Sequence, residues 1–233
     1  MNKLDLDNAC TCLFDERILQ APQTMIDLLS DPDITAGDGN RTMRGYYEKA
    51  RAAVAGLIHC KPQEVALVES TSHALQILTS ILALQKEDNV LICDLEYQAS
   101  VLCFKRRQEE VGFEIRRICS HGGAVEPADY EAQMDEHTAV VIAAAVQEIN
   151  GFRMDIAALA EAAHRHGALL IVDGIQEVGA MQVDVKQTGA DFYCAGGKKW
   201  LGNPFGMGFL YVSEQLIPQL KPVTYAYFHT AIP

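Results

Sequence analysis

Positive charge is scarce in this chain of 233 residues: 19 Lys and Arg stand against 31 Asp and Glu, a formal net charge of −12. A nucleic-acid surface neutralises phosphates with clustered cations, so no nucleic-acid partner is expected. The main basic cluster, Lys105-Arg106-Arg107, is followed at once by Glu109 and Glu110 and reads as a solvated helix face. Long hydrophobic runs are also lacking. None approaches the roughly 18 residues of a membrane span, and Met1–Asp7 has no apolar export-signal core. The seven cysteines are odd in number and widely scattered, which argues against a disulfide framework. Several lie in apolar runs, where Cys behaves as a small buried hydrophobe. They read as reduced thiols of a cytoplasmic protein. Cys10-Thr11-Cys12 lacks the spacing of a zinc knuckle, and no Cys or His pair completes it, so no metal site is expected. Internal repeats and low-complexity segments are absent.

What is present is an alternation of amphipathic and apolar segments. Helical periodicity marks Thr42–Ile58, Ser72–Leu84 and Ile156–His166. Strands are predicted at Val65–Val68, Val90–Cys93, Glu114–Ile118, Val140–Ala144, Leu169–Val172, Phe192–Ala195 and Phe209–Val212. Runs such as Val140-Val141-Ile142-Ala143-Ala144 are apolar at every position, as in parallel strands buried on both faces. The alternation therefore points to an α/β fold around a mostly parallel sheet with right-handed crossovers. Ser30–Arg41 and Ser120–Pro127 read as exposed loops, and the apolar, aromatic stretch Pro222–Phe228 as a tail that wants a partner surface.

Ligands of open α/β sheets bind where loops converge at the carboxyl ends of strands. Polar residues follow several predicted strands. Ser70-Thr71-Ser72 opens a helix, either as a phosphate cradle or as a plain N-cap. Tyr97 follows Val90–Cys93 and is either a ring-stacking aromatic or a packed surface residue. Gln147 precedes the turn signal Asn150-Gly151 and can hydrogen-bond a cofactor or substrate. Asp173 closes an apolar strand, as a cap or as a site carboxylate, and Gln176 can point into the same region. Lys198 and Lys199 follow Gly196-Gly197, in a loop where the backbone can approach a ligand closely. A neighbouring cation and partial burial would lower an amine pKa there, as a Schiff-base nucleophile needs. Chemistry alone does not choose between the two lysines. A strand-end carboxylate and a loop lysine are what pyridoxal 5'-phosphate (PLP) requires: a group to keep the ring nitrogen protonated and an amine to attach the cofactor.

In order and spacing these segments resemble the class V aminotransferases, the fold-type I PLP family that includes cysteine desulfurases and isopenicillin N epimerase-like proteins. The resemblance starts at Leu6-Asp7-Asn8-Ala9 and runs over nearly the whole chain. It implies that Thr71 and Ser72 hold the cofactor phosphate and that Tyr97 stacks on the ring. It places the segment from Val146 to Asp155, Gln147 included, beneath the cofactor in an epimerase-like version. It puts Asp173 on the pyridine nitrogen and Gln176 on the ring hydroxyl, and selects Lys199 for the aldimine. Three departures stand out. Gly196 occupies a position where many members have a phosphate-binding Ser, and Lys198 replaces a usual His. Members also continue into a smaller C-terminal domain, carrying a carboxylate-clamping Arg and, in desulfurases, a sulfur-accepting Cys.

The resemblance thus implies a PLP-dependent transferase-like large domain without that small domain. Residues 1–45 read as an N-terminal segment and 46–233 as the PLP-binding domain. The implied protein is a homodimer acting on an amino-acid substrate through a Lys199 aldimine, with Lys199 as base at Cα. Transamination, epimerisation and elimination share this apparatus. The alternative is a truncated or pseudoenzyme chain that binds PLP or a partner without turnover.

Overall fold

Apolar runs of five to seven residues cannot leave water singly, and here they lie side by side. The computed structural model describes residues 7–14, 16–32, 34 and 39–222. Within them β1 (Val65–Val68), β2 (Asn89–Cys93), β3 (Glu114–Ile118), β4 (Thr138–Ala144), β5 (Leu169–Asp173), β6 (Phe192–Gly196) and β7 (Gly208–Val212) form a seven-stranded sheet. Its order is β1-β7-β6-β5-β4-β2-β3. Only β7 runs against its neighbours, pairing antiparallel with β1 and β6. The other pairs are parallel. The predicted strands are present, with edges moved by at most two residues.

Seven helices are described: α1 (Glu16–Leu29), α2 (Gly39–Leu57), α3 (Thr71–Ile81), α4 (Gln98–Val111), α5 (Pro127–Glu131), α6 (Ile156–Arg165) and α7 (Val185–Thr188). Alternate strand residues feed two cores, one on each face. Leu91, Val141, Leu170, Val172 and Tyr193 pack with residues of α5 and α6. Val90, Ile142, Ile171, Phe192 and Leu210 pack with Leu75 and Leu78 of α3 and Phe104 of α4. Each such side chain, taken fully out of water, contributes about 1.5–3 kcal/mol. This two-sided burial is why the strands read as continuous apolar runs.

The helix α3 ends at Ile81, short of the predicted Leu84, because Leu82 turns extended. Leu82 and Leu84 are buried in the second core, so their apolar character reflects tertiary packing and not a longer helix. Lys105 and Arg106 do sit on the exposed face of α4, where Arg106 pairs with Glu109 and Glu110. By contrast α1 buries no residue at all, although Leu19, Ile26 and Leu29 recur along it. The predicted loop Ser30–Arg41 is described only in part and is shorter than expected, since α2 already begins at Gly39. Leu6 and the stretch Val223–Phe228 lie outside the described residues. No described helix is long and apolar enough to cross a membrane.

Candidate functional site

Sheet register fixes the first group. Asp173 is the last residue of β5 and stands beside Ala144 of β4 and Cys194 of β6. It is buried, and its Oδ1 accepts the Ile175 N–H at 3.0 Å. Burial pushes this carboxyl up to about 6, against the opposing pull of the Ile175 N–H and the Lys199 ammonium. The turn after it is tight for a reason. A Cβ on Gly174 would lie 2.0 Å from the Tyr193 ring. That ring cannot yield, because Tyr193 is buried and donates its hydroxyl to Glu177 Oε2 at 2.9 Å.

The second group comes from the connection between the antiparallel strands β6 and β7. Gly197 N–H donates to Met207 O at 2.7 Å, and Gly202 N–H closes back on Lys199 O at 2.9 Å. Lys199 is held almost out of solvent, with Nζ 5.8 Å from the centroid of the Tyr97 ring. Burial lowers its pKa below the ordinary lysine value, while Asp173 pulls the other way. Lys198, its neighbour, lies instead over the Phe205 ring at 4.9 Å.

The third group is the N-terminus of α3. Ser70 caps the helix, its side chain accepting the His73 N–H. The Thr71 hydroxyl accepts the Gly196 N–H at 2.8 Å and so ties α3 to the end of β6. The first amides of an α-helix have no partner within it, and the helix dipole adds partial positive charge there, so this end suits an anion.

Thr71, Ser72, Tyr97, Asp173 and Lys199 share one cleft of about 180 Å³, and Lys198 lines it too. A larger groove of about 810 Å³ between α2 and β1 has no lining residue in common with it. Among the described residues, no cluster of His, Cys, Asp or Glu could hold a metal ion. Gln147 and Gln176 do not line the cleft. Gln147 is buried and donates Nε2 to Glu96 Oε1 at 2.9 Å, while its own Oε1 has no partner. Gln176 is engaged at both ends: Nε2 donates to Ala9 O at 3.1 Å, and Oε1 accepts Trp200 Nε1–H at 2.8 Å. Asn150-Gly151 forms the predicted turn, with Gly151 N–H on Gln147 O at 2.8 Å.

Sequence reasoning missed Glu96 as a chemical group. Its Oε1 accepts from Ala144 N–H at 2.8 Å as well as from Gln147, and its Oε2 is buried without a partner. Burial pushes this carboxyl up to about 7, with Asp173 adding to the rise. The one available signal was a second acid three residues past the apolar run Val90–Cys93, at a strand end. The remaining departure is Gly196. A Cβ there would meet Ile175 at 3.4 Å and Thr71 at 3.5 Å, ordinary contacts, so crowding does not demand the glycine.

The open, mostly parallel seven-stranded α/β sheet has the architecture of the PLP-dependent transferase fold. The chain belongs to the class-V aminotransferase family, whose profile matches residues 5–228. It is 34% identical over 177 residues to a probable cysteine desulfurase of Methanothermobacter thermautotrophicus, covering 76% of this chain and 44% of that protein. It is 30% identical to the isopenicillin N epimerase of Streptomyces clavuligerus, over 77% of this chain and 46% of that protein. Among solved structures, the cystine C-S lyase C-DES, seen with its product cysteine persulfide, superposes with a TM-score of 0.90. It covers 98% of this chain and 64% of that one at 19% identity, a likeness of fold. A cysteine desulfurase of Thermococcus onnurineus gives a TM-score of 0.84 at 24% identity, over 95% of this chain and 56% of that one. The chain spans about half the length of the curated relatives it matches.

Proposed function

We propose that this chain is the cofactor-holding part of a PLP-dependent enzyme that transforms a small amino acid. The observation that carries this reading is the convergence of Asp173, Lys199 and the α3 N-terminus on one cleft. The residues fit the group. The α3 amides with Thr71 and Ser72 would hold the phosphate, the buried Asp173 the ring nitrogen, and Tyr97 would cover the ring. Lys199 is the amine for attachment, and its depressed pKa raises the share of neutral amine that such a bond requires. When bound, PLP supplies an electron sink that stabilises negative charge at the substrate Cα. Lys199 would take and return the proton at the substrate Cα. Relatives named cysteine desulfurase start from an amino acid, cysteine, so that substrate class is inferred for this chain.

A second reading, cofactor binding without turnover, is favoured by one observation. Among the described residues that line the cleft, the only cations are Lys198 and Lys199, so a substrate carboxylate has Lys198 alone as a counter-ion. The test begins with PLP and borohydride. The protein is mixed with PLP, reduced, digested and mapped by mass. A reduced pyridoxyl increment on Lys199, absent in K199A, is the expected result. An increment on Lys198 instead, or none on either lysine, overturns the assignment. Formation of product from added amino acids then separates turnover from binding alone.

A further inference from the structure

The turn that follows Asp173 and the turn that carries Lys199 come from different parts of the chain, yet they are fastened together at three points. Gln176 Oε1 accepts the Trp200 indole N–H at 2.8 Å. Gly179, at φ +93°, lies against the same backbone: a Cβ there would stand 2.6 Å from the Trp200 carbonyl carbon and oxygen. Gln176 Nε2 also reaches Ala9 O, and Cys12 N–H donates to Lys198 O at 3.1 Å, so the segment around residues 9–12 is laid across both turns. Gln176 is buried and does not line the cleft. The resemblance assigns this side chain to the ring hydroxyl of the cofactor. In the structure its oxygen and one of its two amide N–H groups are engaged by protein partners.

We propose that Gln176 is a positioning residue, a strut that joins the Asp173 turn to the Lys199 turn through Trp200 and fixes the spacing of carboxylate and amine. The inference rests on the reading of Lys199 as the PLP attachment point. Spacing matters because Asp173 is the main charge opposing the fall in the Lys199 pKa, and Coulomb interaction varies with separation. Relaxing the strut therefore alters both the geometry of the cleft and the pH at which Lys199 becomes a nucleophile.

Trp200 is the only tryptophan in the chain, so its emission reports on the strut directly. In Q176L without PLP, the emission is expected to move to longer wavelength and to be quenched more readily by acrylamide, as the indole N–H loses its acceptor. Unchanged emission and quenching overturn the strut, whatever PLP does. With PLP, W200F and Q176L should each weaken capture at Lys199 by about three- to tenfold, roughly what one lost hydrogen bond yields. Both should move the pH midpoint of capture in the same direction. The double variant should be no weaker than either single one, because the two residues act as one unit. If Q176L changes the visible band and weakens capture while W200F matches the parent, Gln176 acts on the ring itself and the strut is wrong. Should Q176L fail to fold, W200F decides through the same capture assay. Failure of the parent to take PLP on Lys199, with the Q176L emission shift present, overturns the proposed function and leaves the strut standing.

Discussion

At the scale of residues, the carboxyl that sequence reasoning passed over makes the sharpest prediction. Glu96 is buried beside Ala144, Gln147 and Asp173, and its pKa is raised from 4.5 to about 7. A buried acid with a raised folded-state pKa binds its proton more tightly folded than unfolded. Its contribution to stability is complete below about pH 4.5 and is lost as pH rises through about 7. Replacing it by the neutral isostere removes that loss. E96Q and the parent should therefore have similar urea midpoints near pH 4.5. By pH 8, E96Q should be the more stable, by up to ~3 kcal/mol on the conversion of 1.36 kcal/mol per pKa unit. Asp173 titrates in both proteins, but its repulsion of an ionised Glu96 is present only in the parent and is part of that rise. A parent more stable than E96Q at pH 8 would show that Glu96 is ionised and satisfied in the folded chain. The role of Glu96 was not legible in sequence, because its partners at 144 and 147 meet it only through the pairing of β2 with β4.

Between elements, the joint of α3 with β6 is the most exposed to a single change. The Thr71 hydroxyl is the acceptor for the buried Gly196 N–H. T71V keeps the shape but strands that donor, at a cost of about 1–3 kcal/mol. T71S keeps the acceptor and should lie within about 1 kcal/mol of the parent. Equal urea midpoints for T71V and the parent would mean that Gly196 N–H finds another partner. The strands were readable because two-sided burial writes an unbroken apolar run. Val65–Val68 and Glu114–Ile118 match their predicted bounds, and the other edges shift by one or two residues. Helix α4 was glimpsed only through its charged face, since just Ser100 and Phe104 are buried along it. α1 carries apolar residues at helical spacing, Leu19, Ile26 and Leu29, but none of them is buried, so no core contact accompanies that pattern. At the site, the sequence placed Thr71, Ser72, Tyr97, Asp173 and Lys199 in one region because each follows a strand end or lies in a glycine turn. The orientation of Gln176 toward Trp200 depends on how two turns dock, and neither turn encodes that alone.

Across the whole molecule, the sheet order separates what is near in sequence and joins what is far. Asp173 and Lys199 flank β6 and come together through neighbouring strands, β5, β6 and β7. The N-terminal end of α3 arrives from 125 positions away, carried by β1, which pairs with β7 at the opposite edge of the sheet from β3. Contacts so distant in sequence are slow to form, since loop-closure entropy is paid before they reward it. PLP added at increasing delays after dilution from urea should therefore be captured later than the far-UV signal recovers. Simultaneous recovery of both would show that β1 docks early. The antiparallel strand β7 is thus more than an irregularity in a parallel sheet. It is the landing place on which the two halves of the cleft meet, so cofactor affinity serves as a clock for the final closure of the fold.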